Sequence, residues 1–229
     1  MKTTLFLLQS LDGKISTGDI DERDVDIDFP KINGVKEGLH QYYEIEQQTD
    51  LVSFISGRNL AKVGSNTKSL EDVEKTQVSF VVVDSRPHLT AHGIEYMARK
   101  SNRLFIVTTN KSHPAYELKA RFPIIVILPY ENPISFTDLF TTLATTYSIE
   151  RMTLQSGGEL NAILLRAGLI DAVLLVVAPC LVGGRATSTL IDGESLRTLE
   201  DLSSIRALKL KAVKALDDSY LRLEYEVVN

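Results

Sequence analysis

The property that most constrains this chain is an alternation: short apolar runs of strand length are separated by longer segments of helical period. Strands are expected at residues 3–8, 51–56, 78–83, 103–108, 124–128, 151–155 and 173–178. Several of these are apolar at nearly every position, the pattern of strands covered on both faces. Amphipathic segments at 38–48, 93–100, 114–120, 136–147 and 159–167 fit crossover helices. Ser135 precedes the fourth of these with Asp138 three residues on, a capping-box-like start, and Gly168 closes the last. The C-terminal region differs. Residues 205–216 and 220–228 alternate apolar and polar positions around Asp217-Asp218-Ser219, which predicts an antiparallel hairpin. The expected fold is α/β: three α/β/α layers around a mixed, mostly parallel sheet that ends in that hairpin. No proline-rich linker or repeat divides the chain, so 1–229 is expected to form one domain.

Composition removes several function classes. The formal net charge of −5 gives no footprint for nucleic acid. The longest apolar runs fall far short of the roughly 20 residues that span a bilayer, and an opening strand leaves no room for an export signal. With Cys180 as the only cysteine, no internal disulfide or paired-cysteine metal site is possible, and a cytoplasmic location is expected. Residues 24–35 have the opening spacing of a calcium loop, but Phe29 and Val35 stand where Gly and Glu are required. The acidic 19–28 stretch reads as a solvated or mobile flap. His88 and His92 are bracketed by Pro87 and Gly93, which argues for a loop, and no metal is assigned to them. Cys180 reads as a buried small hydrophobe.

The strongest local signal is Leu154-Gln155-Ser156-Gly157-Gly158-Glu159-Leu160-Asn161, where a strand passes through two glycines into a helix. Glycines permit close backbone approach, and the bare amides of a helix start suit a phosphate. A tight turn without a ligand is the alternative, and the glycine pair alone does not decide between them.

The wider pattern does more. Residues 156–171 read S-G-G-E-L-N-A-I-L-L-R-A-G-L-I-D, and 178–184 read A-P-C-L-V-G-G. Here the chain resembles the pyrimidine reductases of riboflavin biosynthesis, a dihydrofolate-reductase-like family whose members act on 5-amino-6-(5-phosphoribosylamino)uracil. Ser10-Leu11-Asp12-Gly13-Lys14-Ile15 matches the same family's turn after the first strand. The resemblance implies an NADPH-dependent reductase that transfers hydride to a heterocyclic or glycosylamine substrate, and a homodimer with the late strands as its interface. By the same likeness Gly157, Gly158, Glu159 and Leu160 hold the cofactor diphosphate. Ser10, Asp12 and Lys14 face the substrate, with Asp12 as the candidate catalytic proton carrier. Ser56-Gly57-Arg58 and Val83-Asp84-Ser85-Arg86 resemble the family's cofactor turns. This implicates Gly57, Arg58, Ser85 and Arg86, the last as a partner for a 2′-phosphate, and Thr108 at the next strand end.

The chain also departs from the family. Gln155 replaces a common Glu, Leu60 replaces a Thr, and residues 62–77 lack the "D-P-x-L-T-x-R" segment associated with the phosphoribosyl substrate. A reductase of the same fold acting on a pterin or small carbonyl compound, and a non-catalytic NADP-binding module, therefore remain open. No cytidine-deaminase-like zinc motif is present.

Overall fold

The computed structural model describes residues 1–228. In chain order the elements are β1 (Lys2–Ser10), α1 (Val25–Asp28), α2 (His40–Glu46), β2 (Val52–Ser56), α3 (Gly57–Lys62), β3 (Ser79–Val83), α4 (Ala91–Lys100), β4 (Leu104–Thr108) and α5 (Ala115–Leu118). They continue with β5 (Ile125–Pro129), α6 (Phe136–Thr145), β6 (Arg151–Leu154), α7 (Gly158–Arg166), β7 (Ala172–Ala178), β8 (Ala207–Ala215) and β9 (Leu221–Val228). Two compact units result, one formed by residues 50–156 with Met1, the other by residues 2–49 and 157–228.

In the 50–156 unit the strand order is β5-β4-β3-β2-β6, and each pairing is parallel. β4 is buried at every position, which explains why its sequence is an unbroken apolar run. Side chains alternate between two covered faces. Val82, Leu104 and Ile106 pack with Ile94, Met97 and Ala98 of α4. On α6, Phe136 and Phe140 meet Phe54 of β2 edge-on, with ring centroids 6.3 and 5.6 Å apart.

In the second unit β1 pairs in parallel with β7, β7 pairs antiparallel with β9, and β9 antiparallel with β8, in the order β1-β7-β9-β8. Phe6, Leu8, Val176 and Ala178 carry one face and bury Phe29, Tyr42 and Ile45 from the segment between β1 and β2. The mixed, mostly parallel pattern and the terminal hairpin agree with the fold expected from the sequence. The hairpin turns through Asp218 and Ser219, both with positive φ, as its Asp-Asp-Ser composition suggested.

Local details depart from expectation. Of the expected 19–28 flap, residues 19–23 are exposed, but Asp24 caps a short helix by accepting from Asp26 N, Val25 and Asp28 are buried, and the adjoining Phe29 is fully enclosed. His92 lies in α4, because Thr90 accepts from Gly93 N and so starts the helix two residues before the expected point. Gly93 sits within that helix because a Cβ there would collide with Asn66. The Ser135 start is only half a capping box. Ser135 Oγ accepts from Asp138 N at 3.3 Å, but the Asp138 carboxylate takes the Tyr130 hydroxyl at 2.8 Å instead of reaching back. Gly168 ends α7 at φ +67° with the paired bonds Gly168 N to Leu165 O and Leu169 N to Leu164 O, the arrangement that lets a helix stop at glycine.

Candidate functional site

In the second unit, two motifs separated by some 170 residues meet. Ser10, fully buried at the end of β1, donates through Oγ to Asp12 Oδ1 at 2.5 Å and accepts from Lys14 N at 2.9 Å. Asp12 accepts from Val182 N at 3.1 Å and Gly183 N at 2.7 Å, while Lys14 Nζ donates to the carbonyls of Gly184 and Thr187, both at 2.8 Å. The turn after β1 is thus stitched to the Gly-Gly turn after β7. Positive φ at Gly13, Gly183 and Gly184 makes both turns possible. The Ser10 hydroxyl and the Val182 amide hold the Asp12 carboxyl down to about 2. At neutral pH Asp12 is therefore a carboxylate already engaged by donors, suited to fixing a loop and placing charge.

The start of α7 lies in the same unit. α4 and α6 carry side-chain caps from Thr90 and Ser135, whereas α7 begins at Gly157 with none. Its two glycines do different work. At Gly157 a Cβ would meet nothing within 4 Å, whereas at Gly158 it would collide with the Asp192 carboxylate and the backbone oxygen of Thr189. Asp192 is held in turn by Thr189 N at 3.0 Å and Thr189 Oγ1 at 2.6 Å, and its own amide donates to Gly158 O. Gly157 is thus the open residue and Gly158 the packed one. Glu159 is exposed in the first turn and Leu160 is half-buried.

The 50–156 unit places the other expected cofactor residues at the carboxyl ends of three adjacent parallel strands, the end at which α/β sheets bind ligands. Gly57 and Arg58 open α3 after β2, Ser85 and Arg86 follow β3, and Thr108 ends β4. Arg86 is exposed, with no hydrogen bond or ion pair among the described residues. The Thr108 hydroxyl is turned inward, donating to Asp84 O at 3.0 Å and accepting from Asn110 N at 3.1 Å. Ser85 Oγ accepts from Thr109 N at 3.2 Å.

The model of the RibD C-terminal domain matches residues 1–221. The chain belongs to the RibD C-terminal domain family. It is an oxidoreductase of the reductase class. Its relatives include the 2,5-diamino-6-ribosylamino-4(3H)-pyrimidinone 5′-phosphate reductase of Methanothermobacter thermautotrophicus, 28% identical over 95% of this chain and 94% of that protein. RibD of Acinetobacter baumannii shares the fold at a TM-score of 0.67 and 17% identity over 100% of this chain, which spans 58% of that longer protein. A riboflavin biosynthesis reductase of Saccharomyces cerevisiae superposes with a TM-score of 0.59 at 12% identity, covering 99% of this chain and 90% of that one.

Several residues of this family member escaped the sequence reading. Asn161, inside the quoted helix motif, is fully buried and ties α7 to the following loop through Nδ2 to Leu190 O at 2.9 Å. Asp192 and Thr189 stand outside every recognisable motif. Asp84, inside the Val83-Asp84-Ser85-Arg86 turn, is 1% exposed and organises that end of the unit. His113 carried no local signal at all.

No helix among the described residues is long and apolar enough to cross a membrane.

Proposed function

We propose that this chain is an NADPH-dependent pyrimidine reductase of riboflavin biosynthesis, acting on a ribosylamino-pyrimidinone phosphate. The observation that carries this reading is the uncapped start of α7 at Gly157, in a chain aligned almost end to end with a pyrimidinone phosphate reductase. Backbone amides left free of a side-chain cap, with open space at the first glycine, suit a diphosphate. In the second unit Gly157, Gly158, Glu159 and Leu160 would hold that group; in the 50–156 unit, taken by itself, Gly57, Arg58, Ser85 and Arg86 would suit an adenosine phosphate, with the exposed guanidinium of Arg86 available to a 2′-phosphate. When bound, NADPH supplies the hydride to the glycosylamine or heterocycle of the substrate. The chain's own residues orient the reactants. Asp12 and Lys14 fix the 182–187 loop and place opposite charges beside the β1 turn, and Ser10 locks the turn itself, so Asp12 serves by charge placement and not by proton delivery.

Gly157→Asp tests this with effects of opposite sign. Aspartate is a good N-cap, so stability in urea is expected to hold or rise by a few tenths of a kcal/mol. The added carboxylate beside the diphosphate is expected to abolish NADPH binding by fluorescence titration. A folded variant that keeps its NADPH affinity overturns the diphosphate assignment.

We also propose that a second copy of the chain covers β8. All nine residues of this edge strand are exposed, including Leu208, Leu210 and Val213 at 47%, 52% and 61%. Three large apolar side chains left bare on a long edge strand favour a covering partner, although Lys209 and Lys211 lie between them and Lys214 follows. Light scattering after size exclusion should give a dimer, and Val213→Lys should shift it toward monomer; a monomeric parent chain refutes the assignment.

A further inference from the structure

Asp84 directly follows β3 and is buried with four donors on one carboxylate. Oδ1 accepts from His88 N at 2.9 Å and from His88 Nδ1 at 3.1 Å; Oδ2 accepts from Leu89 N at 3.1 Å and from His113 Nε2 at 3.2 Å. His113 is itself 1% exposed. Its Nδ1 accepts from Ala115 N at 3.2 Å, so the ring proton sits on Nε2 and points at Asp84. Burial by itself would raise the Asp84 carboxyl, but the His113, His88 and Leu89 donors outweigh it and the group is held below its ordinary value. Both His113 nitrogens are engaged inside the protein, which leaves the ring no free nitrogen to act as a base.

What this cluster does is join turns. A Cβ on Gly57 would collide with the Asp84 carboxyl, so the start of α3 leans on it; the Asp84 carbonyl takes the Thr108 hydroxyl; and the Asp84–His88 bonds close a short loop whose middle carries Ser85 and Arg86. The strand ends after β2, β3 and β4 therefore converge on one residue. An apolar residue of similar shape would fill the space but leave the His88, Leu89 and His113 donors unpaired, and it would not fix the angle of the 85–88 loop.

We propose that Asp84 and His113 are a positioning pair that sets the presentation of Arg86, and through it the preference of the site for a dinucleotide carrying a 2′-phosphate. The proposal rests on the NADPH reading above. Neither residue touches the cofactor. His113 braces Asp84, Asp84 closes the loop, and the loop aims the guanidinium.

The test compares His113→Leu, which removes the donor at similar volume, with His113→Gln, which can keep one, in the full chain. Dissociation constants for NADPH and NADH are measured by fluorescence titration, with urea unfolding alongside. In His113→Leu the NADPH affinity is expected to fall about tenfold, the scale of a lost hydrogen bond to a charged group. NADH affinity should change little, so the preference ratio collapses; His113→Gln should recover most of it. Should His113→Leu fail to fold, His88→Ala substitutes, because its side chain is 38% exposed and its loss loosens the same loop; a smaller fall in the same ratio is expected. A ratio unmoved in the folded variants overturns the pair while leaving the cofactor reading intact. A parent chain that binds neither dinucleotide overturns the cofactor reading, and this role with it.

Discussion

Asp12 and Asp84 each follow the end of a parallel strand, and each gathers donors from turns distant in sequence, yet they sit in opposite environments. Asp84 is 1% exposed and takes its donors from His113, His88 and Leu89; Asp12 is exposed and takes them from Ser10, Val182 and Gly183. The same chemistry therefore has different energetic weight. Around Asp12, water can replace any partner that is lost. Around Asp84 it cannot, and an orphaned donor there bears its full desolvation cost. One carboxylate can be adjusted with little effect on folding, whereas the other is part of what holds its unit together.

Replacing the buried member should give the largest effect. Asp84→Ala leaves His113 Nε2 and the Leu89 amide without a partner in the interior, and a loss of about 3–5 kcal/mol in unfolding free energy is expected. Urea unfolding measures it directly. The equivalent Asp12→Ala change should cost far less, and equal losses at the two positions would show that burial does not separate them.

The two glycines of α7 repeat the contrast within a single turn. Gly158→Ala drives a methyl group into the Thr189 backbone oxygen, which cannot rotate away, and about 1–3 kcal/mol of destabilisation is expected. Gly157→Ala meets open space and should stay within about 1 kcal/mol, the modest penalty of alanine at an N-cap. Thermal unfolding of the two variants side by side decides the matter; a tolerant Gly158 would mean that the 189–192 loop is free to move off the helix.

The architecture was legible because it rests on periodicity. The unbroken apolar run of β4 and the alternating residues of β8 and β9 announce a doubly covered strand and a terminal hairpin without reference to distant partners. The turn motifs were legible as strings, but not the contacts they make inside the chain. Ser10, Asp12 and Lys14 read as residues facing a substrate, whereas much of their bonding capacity is directed to residues 182–187, which no local pattern can reveal. Asp84 and His113 lie 29 positions apart and meet only because β3 and β4 are neighbours. A histidine after a strand has no periodicity to betray it. The short helices α1 and α3 were missed for a related reason: their starts depend on single cap bonds from Asp24 and Ser56, which carry little weight in a window built to find longer elements.

The smallest expected effect belongs to Asp12 and appears only in acid. Its carboxyl is held at about 2 in the folded chain against an ordinary 3.8, so the folded state binds this proton more weakly than the unfolded state does. Its contribution to stability is therefore fully present above about 4 and is lost as pH falls toward 2. Asp12→Asn removes the titration while keeping one side-chain oxygen, enough for the Val182 or the Gly183 amide but not for both. The variant should be slightly less stable than the parent near neutrality, and the gap should narrow as the pH is lowered from 5 to 2.5. Urea midpoints measured across that interval test the sign. A gap that stays constant would mean that solvent already screens the Asp12 charge, and that the 182–183 turn is held by hydrogen-bond geometry alone.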